Sequence, residues 1–384
     1  MSIQFYNWRK NLTESDSTTA NSITINRVQD PLFRLAIEEL GFIKSVKQKR
    51  NKTEVVINIP EEENEPPYPG ELKTRIETAF LDGVSGSDSS IKLQLRIDLM
   101  DDTEREKFYE TLHFFLKNKG DLNSSRTRVI GISSGKGGVG KSSVTINLAV
   151  ALSQLGKSVA ILDADVYGFS IPKMLGVQHQ PSVLKDIIIP PVEHGIACIS
   201  LGLLVEDDQP VVWRGPMLHK TLEQFIKDVW WAAPDFFLID MPPGTGDVSL
   251  SLAQYLPRSE ILVVTTPQPA AQRVAQRSAY AAQKLNLPVK GVIENMSWFT
   301  GNDGVRYEIF GSGGGAMLAK ELGVDLLGQV PLLPAMRSGA DDGVPIAILD
   351  PASEASRIFE QIAKKLIDTA PTRRWHPELK VTAG

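Results

Sequence analysis

The sequence is poor in cysteine, because Cys198 is the only one among 384 residues. A single thiol cannot form a disulfide within the chain, and no Cys-x-x-Cys pair or Cys/His cluster is present to hold zinc or an iron–sulfur cluster. Cys198 lies in the apolar stretch 196–201, which favours a small buried core residue over a metal ligand. The residues alone therefore identify no iron–sulfur ligand.

Long apolar runs and an excess of one charge are also absent. No stretch of about 18 apolar residues could span a membrane, and the N-terminus lacks the charged-then-apolar pattern of a signal peptide. With 41 Lys plus Arg against 46 Asp plus Glu, the net charge of -5 gives no general attraction to nucleic acid or anionic membranes. These absences predict a cytoplasmic protein without nucleic-acid or membrane partners.

Changes in composition divide the chain into five segments. Residues 1–21 are polar and rich in Ser and Thr, which predicts a flexible tail. Residues 22–116 have the apolar periodicity of a small α/β domain, and the polar stretch 117–128 predicts a linker. A second domain is predicted over 129–370, and the Pro-containing stretch 371–384 predicts a C-terminal tail.

Apolar spacing predicts the elements of both domains. In the first domain it predicts strands at 55–59 and 91–99 and helices at 32–40 and 72–80. In the second domain, strand-like runs alternate with helical stretches, which is the pattern of a parallel sheet covered on both faces. These runs are residues 129–132, 159–162, 236–239, 261–264 and 289–293. The predicted fold is α/β, a doubly wound parallel sheet preceded by a small α/β domain.

The stretch G-K-G-G-V-G-K-S at 135–142 matches the P-loop pattern, and it stands between a predicted strand and a predicted helix as a P-loop requires. Glycines let backbone N–H groups converge on phosphate oxygens, and the following helix adds the positive end of its dipole. Lys141 is expected to span the β- and γ-phosphates, and Ser142 to hold Mg²⁺ through its hydroxyl. The predicted nucleotide-binding residues of this loop are Gly135, Lys136, Gly137, Gly138, Val139, Gly140, Lys141, Ser142 and Ser143.

Acidic residues end two of the predicted strands. Asp163 and Asp165 follow the run 159–162, and Asp240 ends the run 236–239 in a Walker B pattern. Open parallel sheets bind ligands at the carboxyl ends of their strands, so these acids are expected near the nucleotide. Asp240 would bind Mg²⁺ through water, and Asp163 would support the magnesium shell. The alternative for either Asp163 or Asp165 is the capping of a helix.

Three further positions are candidates for contact with the nucleotide. Gly244 lies in a loop with two prolines and two glycines, where its N–H could sense the γ-phosphate; a plain strand-to-helix turn is the alternative. Asn295 ends a later strand, and its amide can pair with the N6 and N7 edge of adenine. Pro331 could pack over the ring, or it could be an ordinary proline turn.

The extra lysine of the loop, Lys136, gives a first resemblance. GKGGVGKS resembles the deviant Walker A motif of the MinD/ParA/nitrogenase-iron-protein superfamily. The resemblance implies that Lys136 reaches across a homodimer to the partner's phosphates and that Asp165 belongs to the first switch, where it orients the attacking water. It also implies that Asn295 binds adenine. An ordinary exposed lysine is the alternative for Lys136.

A closer resemblance rests on six motifs and covers nearly the whole chain. In their order along the chain, the motifs are DADVYGFSIPKMLG, WRGPM, LIDMPPGTGD, TTPQPAA, ENMSWF and IFGSGGG. Together they resemble the Mrp/ApbC family of iron–sulfur cluster carrier ATPases, and the segment at 30–46 resembles its N-terminal MIP-type domain. Many family members carry a Cys-x-x-Cys shortly after the motif ENMS, whereas the corresponding segment here, residues 298–306, has no thiol.

The resemblance implies a function as well as a fold. We expect a Mg²⁺-dependent ATP hydrolase that works as a nucleotide-switched homodimer, with apoprotein clients or iron–sulfur assembly proteins as partners. Its expected role is to bind iron–sulfur clusters and transfer them to apoproteins, or to assist their assembly there. Two alternatives stay open: an adaptor ATPase that recruits clients without carrying metal, and a positioning ATPase of the MinD/ParA kind.

Overall fold

The computed structural model describes residues 25–49, 52–60, 68–84, 91–118, 122–123, 126–165, 168, 170–204, 215–244, 246–369 and 371. The predicted N-terminal tail, residues 1–21, lies outside the described residues, and so does the predicted C-terminal tail except for Pro371. The chain divides into two compact units, Met1–Phe115 and Leu116–Gly384.

In its described residues, the first unit has a three-stranded sheet and two long helices. Strands β1 and β2 are antiparallel, and β2 and β3 are parallel, joined by helix α1. Strands β2 and β3 and helix α1 confirm the predicted elements. The elements are β1 (Ile43–Lys49), β2 (Lys52–Ile59), α1 (Tyr68–Val84), β3 (Lys92–Leu99) and α2 (Asp102–Asn118).

The helix predicted at 32–40 is wrong, because this segment folds as consecutive turns. The carboxylate of Asp30 accepts the backbone N–H groups of Leu32 and Phe33, and Arg34 has a positive φ of 57°. A helix cannot continue through a left-handed residue. Apolar side chains still point into the core at these positions, since Phe33 packs edge-on against Phe42, which is why the spacing looked helical.

The second unit is built on an eight-stranded sheet. Its strand order is β15, β12, β11, β4, β10, β5, β9, β8, and all neighbours pair in parallel except β8 with β9. The strands are β4 (Arg128–Ser134), β5 (Val159–Asp163), β8 (Val192–Glu193), β9 (Ile196–Ser200), β10 (Phe236–Asp240), β11 (Glu260–Thr265), β12 (Val289–Glu294) and β15 (Asp325–Gln329). Two small hairpins lie apart from this sheet, β6 (Ser182–Leu184) with β7 (Ile187–Ile189), and β13 (Phe299–Thr300) with β14 (Arg306–Tyr307).

Helices cover both faces of the large sheet, which confirms the doubly wound fold. One apolar core lies between the sheet and helices that include α3 and α11, and a second core lies on the opposite face beneath α5 to α8. The helices are α3 (Lys141–Gln154), α4 (Ile171–Leu175), α5 (Gly215–Asp228), α6 (Asp247–Tyr255), α7 (Pro269–Lys284), α8 (Gly314–Leu322), α9 (Pro334–Asp341), α10 (Ile346–Leu349) and α11 (Glu354–Asp368).

A buried ion pair fastens the last helix to the sheet. The Nε atom of Arg128 donates to Oε2 of Glu260 at 2.7 Å, with side chains only 6% and 1% exposed. The same guanidinium donates to the backbone carbonyl groups of Leu366 and Thr369 at the end of α11. Lys290 adds a second cation 3.4 Å from Glu260. These contacts place α11 against the first core.

Strand register decides which loops meet. Asp240 lies opposite Asp163 of β5 and opposite Ile132 of β4. The carboxyl ends of β4, β5 and β10 therefore share one edge of the sheet. The loops that follow them bring the P-loop and both acidic strand ends together at this edge.

Candidate functional site

The loop between β4 and α3 has a shape that only glycine allows. Gly138 and Gly140 both have a φ of 78°. A Cβ atom on Gly135 would lie 2.1 Å from the backbone nitrogen of Ala275, and one on Gly140 would lie 2.3 Å from Nδ2 of Asn295. Side chains at these positions would push the loop off its neighbours. Glycine is therefore required at these positions by backbone conformation and by close packing, and not only for flexibility.

The first turn of α3 leaves its N–H groups free for an anion. The helix has no side-chain hydrogen bond at its N-terminal cap and no acidic residue in its first turn. Its N-terminus carries the positive end of the helix dipole, and Lys141 is its first residue. This arrangement fits a phosphate group.

Asp240 is the centre of the site. Its Oδ2 atom accepts hydrogen bonds from Nζ of Lys141 and Oγ of Ser142, both at 2.6 Å. Its Oδ1 atom accepts the hydroxyl of Thr145 at 2.7 Å, and Oδ2 of Asp165 lies 3.4 Å from the same Lys141 ammonium. Asp240 is fully buried, so the ammonium supplies the charge that a buried carboxylate requires. The structure thus brings four of the predicted residues together.

Thr145 was not among the predicted site residues. Thr145 is fully buried and lies one helical turn after Lys141. The hydroxyl of Thr145 also lies 3.0 Å from the backbone carbonyl oxygen of Lys141. A polar residue at position i+4 from the P-loop lysine faces the same side of the helix. That spacing is the signal in the sequence that could have identified it.

Asp163 lies behind this centre and is held by the protein on both oxygens. Its Oδ1 accepts the N–H of Asp165 at 3.1 Å, and its Oδ2 accepts the hydroxyl of Ser200 at 3.0 Å and the N–H of Ile171 at 3.3 Å. Ile171 is the first residue of α4, so Asp163 also caps a helix. Burial, and secondarily the charge of Asp240, raises the pKa of Asp163 to about 7. Its contacts fit the support of the adjacent site better than direct metal ligation.

The loop after β10 is tied to the P-loop strand. Gly244 has a φ of 98°, and its N–H donates to the carbonyl group of Ser134 at 2.8 Å. The hydroxyl of Ser278 on α7 donates to the carbonyl group of Gly244 at 2.9 Å and lies 2.9 Å from the hydroxyl of Ser133. The candidate γ-phosphate sensor is therefore connected to α7. Thr245 lies outside the described residues.

Lys136 has its hydrogen-bond partner outside the cluster around Asp240. Its ammonium donates to Oε1 of Gln268 at 2.8 Å, and Gln268 immediately precedes α7. The lysine is half-buried. The glutamine belongs to the motif TTPQPAA, but no pattern in the sequence indicated a role for it.

Asn295 and Pro331 lie at the same edge of the sheet. Asn295 is buried, and its Nδ2 donates to the carbonyl group of Val139 in the P-loop at 2.9 Å. One N–H of this amide is therefore engaged within the protein, and its second N–H and its side-chain oxygen are the groups suited to the N7 and N6 edge of adenine. Pro331 is buried and directly follows Val330, whose N–H donates to the carbonyl group of Glu294.

Cys198 lies inside the sheet on β9. It is fully buried, and burial raises the pKa of its thiol well above the ordinary value, with the charges of Asp163 and Asp240 adding to the effect. A thiolate ligand is disfavoured there. Among the residues that the structure describes, no group of three or more His, Cys, Asp or Glu side chains could hold a metal ion.

The segment in which the resemblance places a Cys-x-x-Cys is the hairpin of β13 and β14. The hydroxyl of Tyr307 donates to Oδ2 of Asp303 at 2.6 Å, which lowers the pKa of that carboxyl and raises the pKa of Tyr307. The guanidinium of Arg306 lies over the ring of Trp298, 4.5 Å from its centroid. Hydrogen bonding and cation–π contact close this hairpin without thiols.

No helix within the described ranges is long and apolar enough to cross a bilayer. A family model described as "NUBPL iron-transfer P-loop NTPase" (ParA) matches residues 125–367.

Curated relatives and one solved structure extend this match. The "Iron-sulfur cluster carrier protein" of Mycobacterium tuberculosis H37Rv is 39% identical over 379 residues, covering 94% of this chain and 95% of that protein. Its counterpart in Escherichia coli K12 is 44% identical over 254 residues, covering 65% and 69%. A nucleotide-binding protein of Archaeoglobus fulgidus, solved in complex with ADP, is 29% identical over 62% of this chain and 96% of its own, with a TM-score of 0.53. The motifs, the fold and these matches show that the chain belongs to the Mrp/ApbC family of iron–sulfur cluster carrier P-loop NTPases.

Proposed function

We propose that this protein is a Mg²⁺-dependent ATP hydrolase that works as a nucleotide-switched homodimer and transfers iron–sulfur clusters to apoproteins or assists their assembly there. The observation that carries the ATPase part is the buried contact of Lys141 and Ser142 with Asp240 beside a glycine loop. The printed name of the relatives, iron–sulfur cluster carrier, supports the choice of cargo.

The residues of the site fit a nucleotide that brings its own metal. Mg²⁺ is usually bound through one or two protein oxygens together with phosphates and water, rather than by an all-protein cage. Ser142 and Asp240 supply a hydroxyl and a carboxylate side by side, and these two would hold the metal. When bound, Mg²⁺ offsets charge on the phosphates.

Each remaining residue has a task that its position allows. Lys141 would exchange Asp240 for the β- and γ-phosphates, and the N–H of Gly244 would exchange the carbonyl group of Ser134 for the γ-phosphate. Asp165, held within 3.4 Å of the lysine, would orient the attacking water. Asn295 would select adenine, with Pro331 packing beside the base.

The position of Lys136 supports the homodimer. Lys141 and the N–H groups of α3 would serve the phosphates of their own chain, whereas Lys136 donates to Gln268. The ammonium of Lys136 would contact the γ-phosphate of the nucleotide bound to a partner, where its positive charge would stabilise the transition state. Nucleotide binding would close the dimer, and hydrolysis would loosen it.

The cargo is proposed to be held by ligands that come from outside this chain. Cys198 is fully buried and its thiol is kept protonated by its surroundings. A cluster usually takes four protein ligands, mostly thiolates. Partner or client cysteines would supply them. The same observation favours the second candidate function, an adaptor ATPase that recruits clients without carrying metal.

The ATPase part is tested by comparing Lys136→Ala with Lys141→Ala in the full chain. We expect Lys136→Ala to retain ATP binding and lose hydrolysis, and Lys141→Ala to weaken both. The specific activity of the wild type is expected to rise with protein concentration. Lys320→Ala, which removes an exposed lysine on α8, is the matched control. Normal hydrolysis by a monomeric Lys136→Ala protein would refute the dimer mechanism.

The cargo part is tested by anaerobic reconstitution with iron and sulfide, followed by transfer to an apoprotein that needs a cluster. Wild type and Cys198→Ala are compared, because alanine removes the thiol without burying a new polar group. We expect no stoichiometric cluster bound through Cys198, and ATP-dependent acceleration of transfer once client thiols are present. A cluster that is lost in Cys198→Ala would make this cysteine a ligand. If ATP and the protein do not change the rate of cluster transfer to the apoprotein, the result would favour the adaptor function.

A further inference from the structure

Gln268 is held firmly where it meets Lys136. Its backbone is extended, with φ of -62° and ψ of 133°, and its carbonyl group accepts the N–H groups of Ala271 and Gln272 in the first turn of α7. Its side-chain oxygen accepts the Lys136 ammonium at 2.8 Å. The glutamine is thus positioned by the helix that follows it, and not by the P-loop.

The P-loop and α7 are in close contact on either side of this hydrogen bond. A Cβ atom on Gly135 would come within 2.3 Å of the backbone of Val274, so the start of the loop lies directly on the helix. Farther along α7, Ser278 contacts both Ser133 and Gly244. Gln268, which accepts the Lys136 ammonium, directly precedes α7. Ser278 of the same helix contacts Gly244, the candidate γ-phosphate sensor.

We propose that Gln268 is a positioning residue that holds Lys136 on its own subunit, and that this contact must break before the lysine can reach a partner's nucleotide. The proposal rests on the proposed function, because it presupposes that Lys136 acts across a dimer. Beyond that function, the proposal assigns to Gln268 the control of the equilibrium between the open and the closed dimer.

The chemistry of an amide suits a contact that must be broken. A neutral acceptor binds an ammonium less strongly than a carboxylate does, by a factor of about five. If only a fraction of chains has Lys136 released, the apparent affinity of the dimer falls by that fraction. Glutamine therefore keeps the lysine in place at small cost to closure, whereas glutamate would oppose closure more strongly.

The first experiment measures the contact without using the dimer or its activity. Nucleotide-free full-length protein, dilute enough to be monomeric, is pulse-labelled with acetic anhydride, and modification of Lys136 is quantified by peptide mass spectrometry. We expect labelling to rise about threefold in Gln268→Ala and to fall in Gln268→Glu. Gln283→Ala and Gln283→Glu change an exposed glutamine of the same helix and serve as controls. Unchanged labelling of Lys136 would overturn the proposal, whatever the oligomeric state.

The second experiment measures closure through the protein concentration that gives half-maximal ATPase activity. We expect Gln268→Glu to raise this concentration about fivefold and Gln268→Ala to lower it about threefold, with maximal rates within about twofold of wild type. A loss of folding would move both variants in one direction, so opposite shifts identify the positioning role. Parallel shifts, or an increase in Gln268→Ala, would refute it and indicate a direct contact with the partner.

The two proposals fail in different ways. If Lys136→Ala hydrolyses ATP at the wild-type rate at every protein concentration, the function proposed for Lys136 is wrong, and the gating role of Gln268 is wrong with it. If Lys136→Ala is inactive but the Gln268 variants leave the half-activating concentration unchanged, only the positioning role is wrong.

Discussion

Replacing Asp163 by Asn should change stability in opposite directions at low and high pH. The folded protein holds the proton of Asp163 up to about pH 7, whereas the ordinary value is 3.8. Between these values the folded state binds a proton that the unfolded state lacks, so the free energy of unfolding falls as pH rises. The contribution of this proton to the free energy of unfolding is fully present below pH 3.8 and is lost by about pH 7. The Asp163→Asn variant has no such proton and should not show this loss.

The size of the effect follows from the width of the window. Each pKa unit is worth about 1.4 kcal/mol, so the whole window corresponds to about 4 kcal/mol and the part above pH 5 to about 3 kcal/mol. At pH 5 the protonated carboxyl of Asp163 carries one O–H donor, whereas asparagine places an NH2 group with two N–H donors near the N–H of Ile171 and the hydroxyl of Ser200, which costs about 1–2 kcal/mol. We therefore expect Asp163→Asn to be less stable than wild type at pH 5 by about 1–2 kcal/mol, and more stable at pH 8 by about 1 kcal/mol.

Urea unfolding at pH 5 and pH 8, followed by tryptophan fluorescence, measures this difference. Trp230 and Trp231 are both buried in the second unit, so the signal reports on the unit that contains Asp163. Asp341→Asn changes an exposed carboxylate and should stay within about 0.5 kcal/mol of wild type at both pH values. The reasoning would be refuted if the difference in free energy of unfolding between wild type and Asp163→Asn were the same at pH 5 and pH 8. It would also be refuted if wild type became still more stable than the variant at pH 8.

Three other variants test separate parts of the second unit. Glu260→Gln should destabilise it by about 3–5 kcal/mol in urea unfolding, because Arg128 is left buried without its carboxylate; a loss below 1 kcal/mol would contradict this. Thr145→Val should raise the Mg²⁺ concentration needed for half-maximal hydrolysis several-fold by freeing Oδ1 of Asp240, with recovery in Thr145→Ser; an unchanged Mg²⁺ requirement would show that the hydroxyl has no part in positioning. Gly135→Ala should abolish ATP binding as measured by calorimetry, since its Cβ would meet the backbone of α7, and wild-type affinity would show that the loop can shift.

Local patterns were enough to predict the parallel sheet of the second unit and to select candidate residues at the edge of that sheet. Apolar runs ending in Asp163 and Asp240 predict strands, and parallel strands place their carboxyl ends at one edge. The glycine-rich loop predicts a phosphate site because its backbone geometry admits few other residues. These inferences depend on short stretches of chain, which is why they transfer to the structure.

The helix prediction failed where contacts with residues outside the stretch compete with its helical spacing. The stretch 32–40 has helical spacing, yet Asp30 binds the N–H groups of the following turn and Arg34 adopts a left-handed conformation. Packing of Phe33 against Phe42 and Phe108 holds the turns in place. Nothing in the local sequence separates this outcome from a helix.

The sequence by itself determined the kind of chemistry: a P-loop, acidic strand ends, one thiol and no second one to pair with it. Only the tertiary structure decided which groups touch. It placed Lys141 on Asp240, engaged Asn295 with the P-loop and set Lys136 on Gln268, which is 132 positions away in the chain. The physical reason is that motif spacing fixes residue type and strand edge, whereas side-chain partners depend on the order and register of strands that are distant in sequence.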